Sequence, residues 1–411
     1  MTLQNKVRRA WIDRYTRFIY RMPVLKLLSG ISKDRLTIVD GAEKLEFGNE
    51  GLSVSMNIHD SRVYSKLVLG GTIGAAEAFM KGYWTTDNLT GLIQIFLRNR
   101  KELGDLNTNF SILKRPFYKI FHKMRRDTPS QSKENISSHY DLGNDFFRLF
   151  LDSTLTYSSG YFSDFKDTME EASLQKLDRI CKKLELGPGD QILEIGTGWG
   201  SFAVHAATHY CCKVTTTTIS DEQYEHVVNL VKDKKLEKQI TVLKKDYRSL
   251  EGQFSKLVSI EMIEAVGLEY IPTFFSVCDK LLAPGGSMLM QAITISEERF
   301  ESAKNSVDFI QRYIFPGGAL PSVELLAQAG GREHLKSFGV EDITAHYAET
   351  MHRWHLKFEK NRAEMKNLGC HDTFLRMWEY YLCYCEGGFL EKAIGCVHMQ
   401  FQKTGERGKS A

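Results

Sequence analysis

Two glutamates, Glu261 and Glu264, lie three residues apart in the segment SIEMIEAVG. Paired carboxylates can share a proton, which leaves one of them able to act as a base. On a helix, an i, i+3 pair occupies one face. The apolar run Lys256–Ile260 before them reads as a strand. Both acids are therefore expected at the carboxyl edge of a sheet, where open α/β sheets bind ligands. A plainer role is also open to them: acids at a helix N-terminus stabilise it through the helix dipole.

A second chemical signal lies upstream. Gln191–Gly200, QILEIGTGWG, is an apolar run that reaches the acid Glu194 and passes into a loop with Gly196, Thr197, Gly198 and Gly200. Glycine lets the backbone turn sharply and come close to a ligand. An ordinary strand-to-helix turn would also explain a lone G-x-G. The G-x-G-x-G spacing, with Trp199 inside it, departs from dinucleotide fingerprints and suits S-adenosylmethionine (SAM) better than NAD.

These residues need a sheet to hold them. A helical segment, Ser201–Tyr210, and a β-branched run, Lys213–Ile219, follow the loop, completing the first unit of a nucleotide-type α/β domain. Further strands are expected at Ile240–Lys244, Lys256–Ile260 and Ser287–Ile293. Helical sequence between strands demands parallel pairing. Gly339–Tyr347 and Cys396–Gln402 are expected as late strands at one edge. Thr218, Ile219 and Gln223 then fall where an adenosine ribose would lie, and Asp246 and Tyr247 where an adenine edge and face would be met. HYDLGNDFF at 139–147 and LTYSSGYF at 155–162 are rich in aromatic and hydroxyl side chains. They could cover a ligand on the loop, or be plain helix packing.

Residues 29–72 look β-rich, with strands expected at Arg35–Val39, Lys44–Phe47, Leu52–Ile58 and Lys66–Leu69. A turn into a short helix at Gly70–Trp84 and a helix at Leu89–Arg98 follow. The expected organisation is an N-terminal α+β domain over 1–100, a basic linker over 101–133 and an α/β domain over 134–411. At 411 residues with 42% apolar content the chain can bury a proper core. No run of about 20 apolar residues is present, so a membrane-spanning helix is not expected. The eight cysteines show no paired C-x-x-C spacing, so reduced thiols and no metal site are expected, in a cytoplasmic protein.

The net charge is +3, unevenly spread. Residues 1–28 carry Lys6, Arg8, Arg9, Arg14, Arg17, Arg21 and Lys26 against one acid, Asp13, with Trp11, Tyr15, Phe18 and Met22 on one helical face. Residues 114–126, KRPFYKIFHKMRR, repeat the mixture of basic and aromatic residues without an acid. Such segments suit an anionic membrane surface, at which the protein would be peripherally associated. A solvated helix face is the plainer alternative. Nucleic acid is not expected, because no binding fold accompanies the charge.

Taken together, HYDLGNDFF, LTYSSGYF, LEIGTGWG, TTISDEQ, IEMIEAVG, YIFPGGALPS at 313–322, HYAET at 346–350 and the C-terminal FQK resemble the cyclopropane fatty acid synthase family. That family includes the mycolic acid cyclopropane synthases and related unsaturated fatty acid methyltransferases. Residues 1–100 resemble the extra N-terminal domain of its longer, phospholipid-acting members. The resemblance implies a Rossmann-like class I SAM-dependent methyltransferase fold with a mostly parallel seven-stranded sheet. It implies SAM on the glycine loop, with its methyl aimed at a cis double bond of a phospholipid acyl chain. Tyr140, Tyr157, Ser158, Gly196, Gly198, Ile219, Gln223 and Tyr247 match SAM-contacting positions. A bound bicarbonate then removes a proton from the methylated carbocation. Its ligands map to Glu264, Tyr347 and the backbone of Ile293. A homodimer is left open.

Departures from the family pattern fall at the bicarbonate site. Ser159 stands where cysteine is usual, Gln291 where histidine is usual, Ala265 where a histidine normally follows the glutamate, and Glu261 where glycine is usual. Neither Ser nor Gln brings positive charge, and Glu261 adds a negative one. Bicarbonate is therefore less welcome, and Glu261 or Glu264 becomes a candidate for the base itself. The same substitutions resemble the branch that makes methyl- or methylene-branched chains. Tyr157, Tyr161 and Phe162 are expected to stabilise the cation by their π-faces. The rival classes are a small-amine N-methyltransferase, against which the basic N-terminus and YIFPGG element speak, and a non-catalytic lipid-binding relative, against which the glycine loop and Glu264 speak.

Overall fold

The computed structural model describes residues 18–104 and 143–404. The basic segment 114–126, most of the N-terminal basic stretch and Tyr140 lie outside the described residues. The larger sheet has seven strands in the order β10-β11-β9-β8-β5-β6-β7. They are β5 (Gln191–Ile195), β6 (Lys213–Thr218), β7 (Ile240–Lys244), β8 (Phe254–Ile260), β9 (Leu282–Ile295), β10 (Leu335–Asp342) and β11 (Ile394–Lys403). The five from β5 to β9 pair in parallel, and β11 and β10 add antiparallel at one edge. This is the class I methyltransferase arrangement expected.

Local chemistry explains the elements. The run VTTTT of β6 is β-branched and mostly buried, which suits a central strand. The helix Met169–Lys183 opens on a capping box between Thr168 and Glu171. Ser220 caps the helix Asp221–Asp233 by accepting from Gln223 N–H. One late strand differs from expectation: β10 ends at Asp342, and Thr344–Lys360 is a helix that carries Tyr347.

The N-terminal unit has a four-stranded sheet, order β2-β1-β3-β4, from β1 (Arg35–Asp40), β2 (Glu43–Gly48), β3 (Ser53–Ile58) and β4 (Trp84–Thr86). Lys66–Leu69 is not a strand. It lies in the helix Arg62–Met80, which breaks at Gly71, where φ is +59°. The helix Leu89–Arg98 packs on the helix Asp372–Leu390. A Cβ at Gly387 would sit 2.9 Å from the Ile93 side chain, so the two helices cross too closely for any larger residue. Thr90 Oγ1 donates to Glu386 at 2.8 Å and Tyr313 Oη to Glu77 at 2.9 Å, tying the N-terminal unit to the α/β body. One apolar core runs through both, from Val24 and Trp84 to Trp354 and Trp378. Among the described residues no helix is long and apolar enough to cross a membrane, and all eight cysteines are free.

Candidate active site

A cavity of about 1320 Å³ opens at the carboxyl edge of the sheet and continues between the α/β body and the N-terminal unit. One end is walled by the glycine loop. Gly196, Gly198 and Gly200 all have positive φ, at +98°, +51° and +86°. A Cβ on Gly198 would meet nothing within 4 Å, so the backbone there faces open cavity. Gly200 does not line it; it starts the helix Ser201–Tyr210. Thr197 lines the cavity, and its buried Oγ1 has no hydrogen-bond partner. Glu194 is buried and accepts from Thr216 Oγ1 at 2.6 Å, while burial pushes its pKa up to about 8. Thr218, Ile219, Gln223, Asp246 and Tyr247 line the same end. Thr218 Oγ1 donates to Gln223 at 2.8 Å, and Arg248 pairs with Asp246 at 2.6 Å.

The two glutamates face the middle of the cavity, but not from one helix face. Glu261 follows β8 in a left-handed conformation, φ +49°. Glu264 belongs to the 3₁₀ turn Ile263–Ala265. The left-handed residue reverses the chain and brings both acids inward. Glu261 Oε1 accepts from Ser159 N–H at 3.0 Å and from Gln291 Nε2 at 2.6 Å, and its Oε2 accepts from Tyr347 Oη at 2.7 Å. Ile293 N–H donates to Glu264 Oε1. Glu264 Oε2 is buried without a partner. Burial and the neighbouring Glu261 push the Glu264 pKa up to about 8. Burial raises Glu261 as well, against the three hydrogen bonds that favour its charged form.

Ser159 and Gln291 stand behind Glu261 and outside the cavity lining. The Ser159 hydroxyl donates to the Gly160 carbonyl at 2.8 Å, so only its backbone addresses the carboxylate. The donors at positions 159, 291, 293 and 347 are thus all taken by protein carboxylates. Two acids fill the space, and a bicarbonate does not fit this donor set.

Two residues of the site were not foreseen. Lys176 is 1% exposed, lines the cavity and donates to Ser158 Oγ at 2.7 Å. Burial lowers its pKa to about 8, and Glu261 and Asp152 hold it up. The signal was present: Lys176 lies on the buried stripe Ala172, Ser173, Leu177, Ile180 of its helix, an unusual place for a lysine. His398, fully buried on β11, donates from Nε2 to Gln291 Oε1 at 2.9 Å. Burial lowers its pKa to about 4, so it fixes the orientation of Gln291 without adding charge.

The aromatic lining differs from expectation in part. Tyr157 faces the cavity, and its hydroxyl donates to Tyr381 Oη at 3.0 Å. Tyr161 and Phe162 do not line it; they pack beneath the guanidinium groups of Arg179 and Arg353 at 4.3 and 4.5 Å. Phe315, Tyr381 and Phe389 are among the other rings that line it. Away from the cavity, His355, Cys383 and Glu386 place ligand atoms within 4.8 Å of one another, a set able to hold a metal ion.

Comparison with known proteins agrees with this geometry. The family model described as mycolic acid cyclopropane synthetase matches residues 127–399. The tuberculostearic acid methyltransferase of Mycobacterium tuberculosis is 34% identical over 78% of this chain and 76% of its own length. The cyclopropane-fatty-acyl-phospholipid synthase of Escherichia coli is 32% identical over 88% of this chain and 91% of its own. A crystal structure of a mycolic acid cyclopropane synthase complexed with SAH and CTAB superposes with a TM-score of 0.62 at 31% identity, covering 66% of this chain and 98% of that one.

Proposed function

We propose that this chain, which belongs to the mycolic acid cyclopropane synthetase family and is a SAM-dependent methyltransferase, methylates the cis double bond of unsaturated acyl chains in membrane phospholipids. The observation that carries the reading is the pair of inward glutamates at the centre of a large, mainly apolar cavity that begins at the glycine loop. The small-amine alternative does not need an apolar cavity of this size.

The residues present fit SAM. Gly198 leaves room for close approach, and the unpartnered Thr197 Oγ1 and the polar groups of Gln223 and Asp246 line the same wall. When bound, SAM supplies an electrophilic methyl group. The alkene is the nucleophile: its π pair would form the new C–C bond as the methyl–sulfur bond breaks and S-adenosylhomocysteine leaves, with a cationic carbon left in the acyl chain. The π-faces of Tyr157, Phe315 and Tyr381 suit that cation. Glu264 then takes the proton on its unpartnered Oε2. Glu261 holds the place of a bound anion on three donors, which favour its charged form against the burial that raises its pKa. Lys176, buried nearby, balances its charge. If the proton comes from the new methyl, the freed C–H pair would bond to the cationic carbon and make a ring. Proton loss that leaves a double bond makes a methyl or methylene branch. With the donors at 159, 291, 293 and 347 already taken by Glu261 and Glu264, the reading favours the branch.

The basic segments at 1–28 and 114–126 support peripheral attachment to an anionic membrane face from the cytoplasmic side. Mass spectrometry of lipids from cells with and without the protein tests the reading. A SAM-dependent gain of one carbon with a reducible double bond is expected. An unchanged lipid pool would overturn it.

A further inference from the structure

Arg299 is a half-buried arginine in the cavity wall that makes no close ion pair among the described residues, although Asp308 and Glu298 act on it from further off. It lies on the helix Glu297–Ala303, just beyond the end of β9. Its guanidinium donates to the Ala393 carbonyl, and no carboxylate among the described residues comes within ion-pair distance of it. Burial, with Arg100 nearby, holds its pKa below the ordinary value. A guanidinium kept from water without an anion is costly, and its planar fork is shaped for phosphate or carboxylate.

The surroundings repeat the sign. Arg100 and Lys101, from the short helix Arg100–Leu103 of the N-terminal unit, line the cavity at this point, as does Lys304. The local acids offset them only at a distance. Glu298 reaches Arg100 only at 3.8 Å. Asp308 accepts from Gln311 N–H to cap the next helix. Lys304 is paired with Glu301 at 2.6 Å and contributes least. Arg299, Arg100 and Lys101 remain for a ligand.

The placement along the cavity is what an acyl lipid needs. Ile293, whose N–H holds Glu264, stands six residues before Arg299. Three strand residues and one helical half-turn span about 15 Å at most. The polar end of a chain whose double bond lies at Glu264 can therefore reach Arg299, with Leu97 and Ile295 along the way.

We propose that Arg299, with Arg100 and Lys101 across the cleft, binds the phosphodiester of a glycerophospholipid whose acyl chain occupies the cavity. The proposal rests on the acyl-chain reading above. A free phosphate would offer the same chemistry without the chain.

The test uses the full-length protein saturated with SAM. Binding of dihexanoylphosphatidylglycerol, of dihexanoylglycerol and of inorganic phosphate is measured by calorimetry, for the parent, Arg299→Gln, Arg299→Lys and the double variant Arg100→Gln/Lys101→Gln. Arg299→Gln should weaken the phospholipid about tenfold or more, the scale of a charged hydrogen bond, and leave dihexanoylglycerol unchanged. Arg299→Lys, which keeps the charge and loses the fork, should keep more affinity than Arg299→Gln and less than the parent, and the double variant should lose part of it. If Arg299→Gln fails to fold, the double variant decides. Equal affinity of the parent for the phospholipid and the diacylglycerol would overturn the phosphate site and leave the acyl reading intact. So would equal losses for both lipids in the deciding variant. Tight binding of inorganic phosphate that does not compete with the phospholipid would overturn it too. A parent that binds neither lipid would overturn the phosphate site, while the acyl reading itself stands or falls with methylation of dioleoylphosphatidylglycerol by the parent.

Discussion

At the glycine-loop wall of the cavity, polar atoms lack partners. Thr197 Oγ1 is buried with none, and the Gly198 backbone faces open space. At the carboxylate wall the donors are already spent, three on Glu261 and one on Glu264. The first wall is built to be completed by something that arrives. The second is complete within the chain except for a single atom, Glu264 Oε2. Under the proposed reading the contrast teaches where this enzyme keeps its chemistry: it borrows the methyl and carries its own base.

The strongest way to break that division is Glu264→Gln, which keeps shape and removes the base. Turnover on dioleoylphosphatidylglycerol vesicles should fall about 10²- to 10⁴-fold, while SAM affinity by calorimetry stays at the parental value. Near-parental turnover would place the base elsewhere.

Glu261→Gly is expected to have the next largest effect. It frees Ser159 N–H, Gln291 Nε2 and Tyr347 Oη together. A loss of roughly 10- to 100-fold should follow, the worth of one or two charged hydrogen bonds. Added bicarbonate or formate should restore part of it. Activity that ignores both anions would show that Glu261 does not stand in for one.

On the other wall, Gly198→Val places a branched side chain at φ +51° where the cavity is open. SAM should bind about tenfold more weakly, on the scale of a left-handed backbone penalty. The glutamate pair should be untouched, so the pH profile keeps its shape.

The smallest effect is the most diagnostic. Glu264 is held up to about 8, so kcat/KM should rise with pH and level off above about 8. Stability should run the other way. Below pH 4.5 this carboxyl is neutral in the folded and the unfolded chain alike. Between 4.5 and about 8 only the unfolded chain ionises, so the group subtracts stability as pH rises. Glu264→Gln should remove that slope, gaining on the parent by up to about 1 kcal/mol per pH unit after allowance for partial screening. Parallel melting curves across this range would contradict it.

The sheet and the glycine loop were legible because strand runs such as KVTTTT and the glycines lie contiguous in sequence, where period and composition speak directly. Lys66–Leu69 was misread as a strand: the run KLVL is short and apolar, and only the longer helical context from Arg62 decides it. The residue types at 159, 261 and 291 pointed to a changed anion site, but their arrangement was hidden. A helix face was assumed for Glu261 and Glu264, whereas one left-handed residue sets their geometry. Lys176 and His398 were missed because their roles depend on what packs opposite, from segments more than 80 and 100 residues away. Tyr161 and Phe162 share a motif with Tyr157 yet are claimed by Arg179 and Arg353.

The backbone at Glu261 has one more implication. A left-handed φ is the conformation glycine adopts freely, and glycine is the residue usual at this position in the resembled family. Glutamate and glycine codons differ by a single base. The main chain here would accept either residue without rearrangement, so a single nucleotide could place a carboxylate in this corner of the cavity or remove it, while Ser159, Gln291 and Ala265 stay as they are.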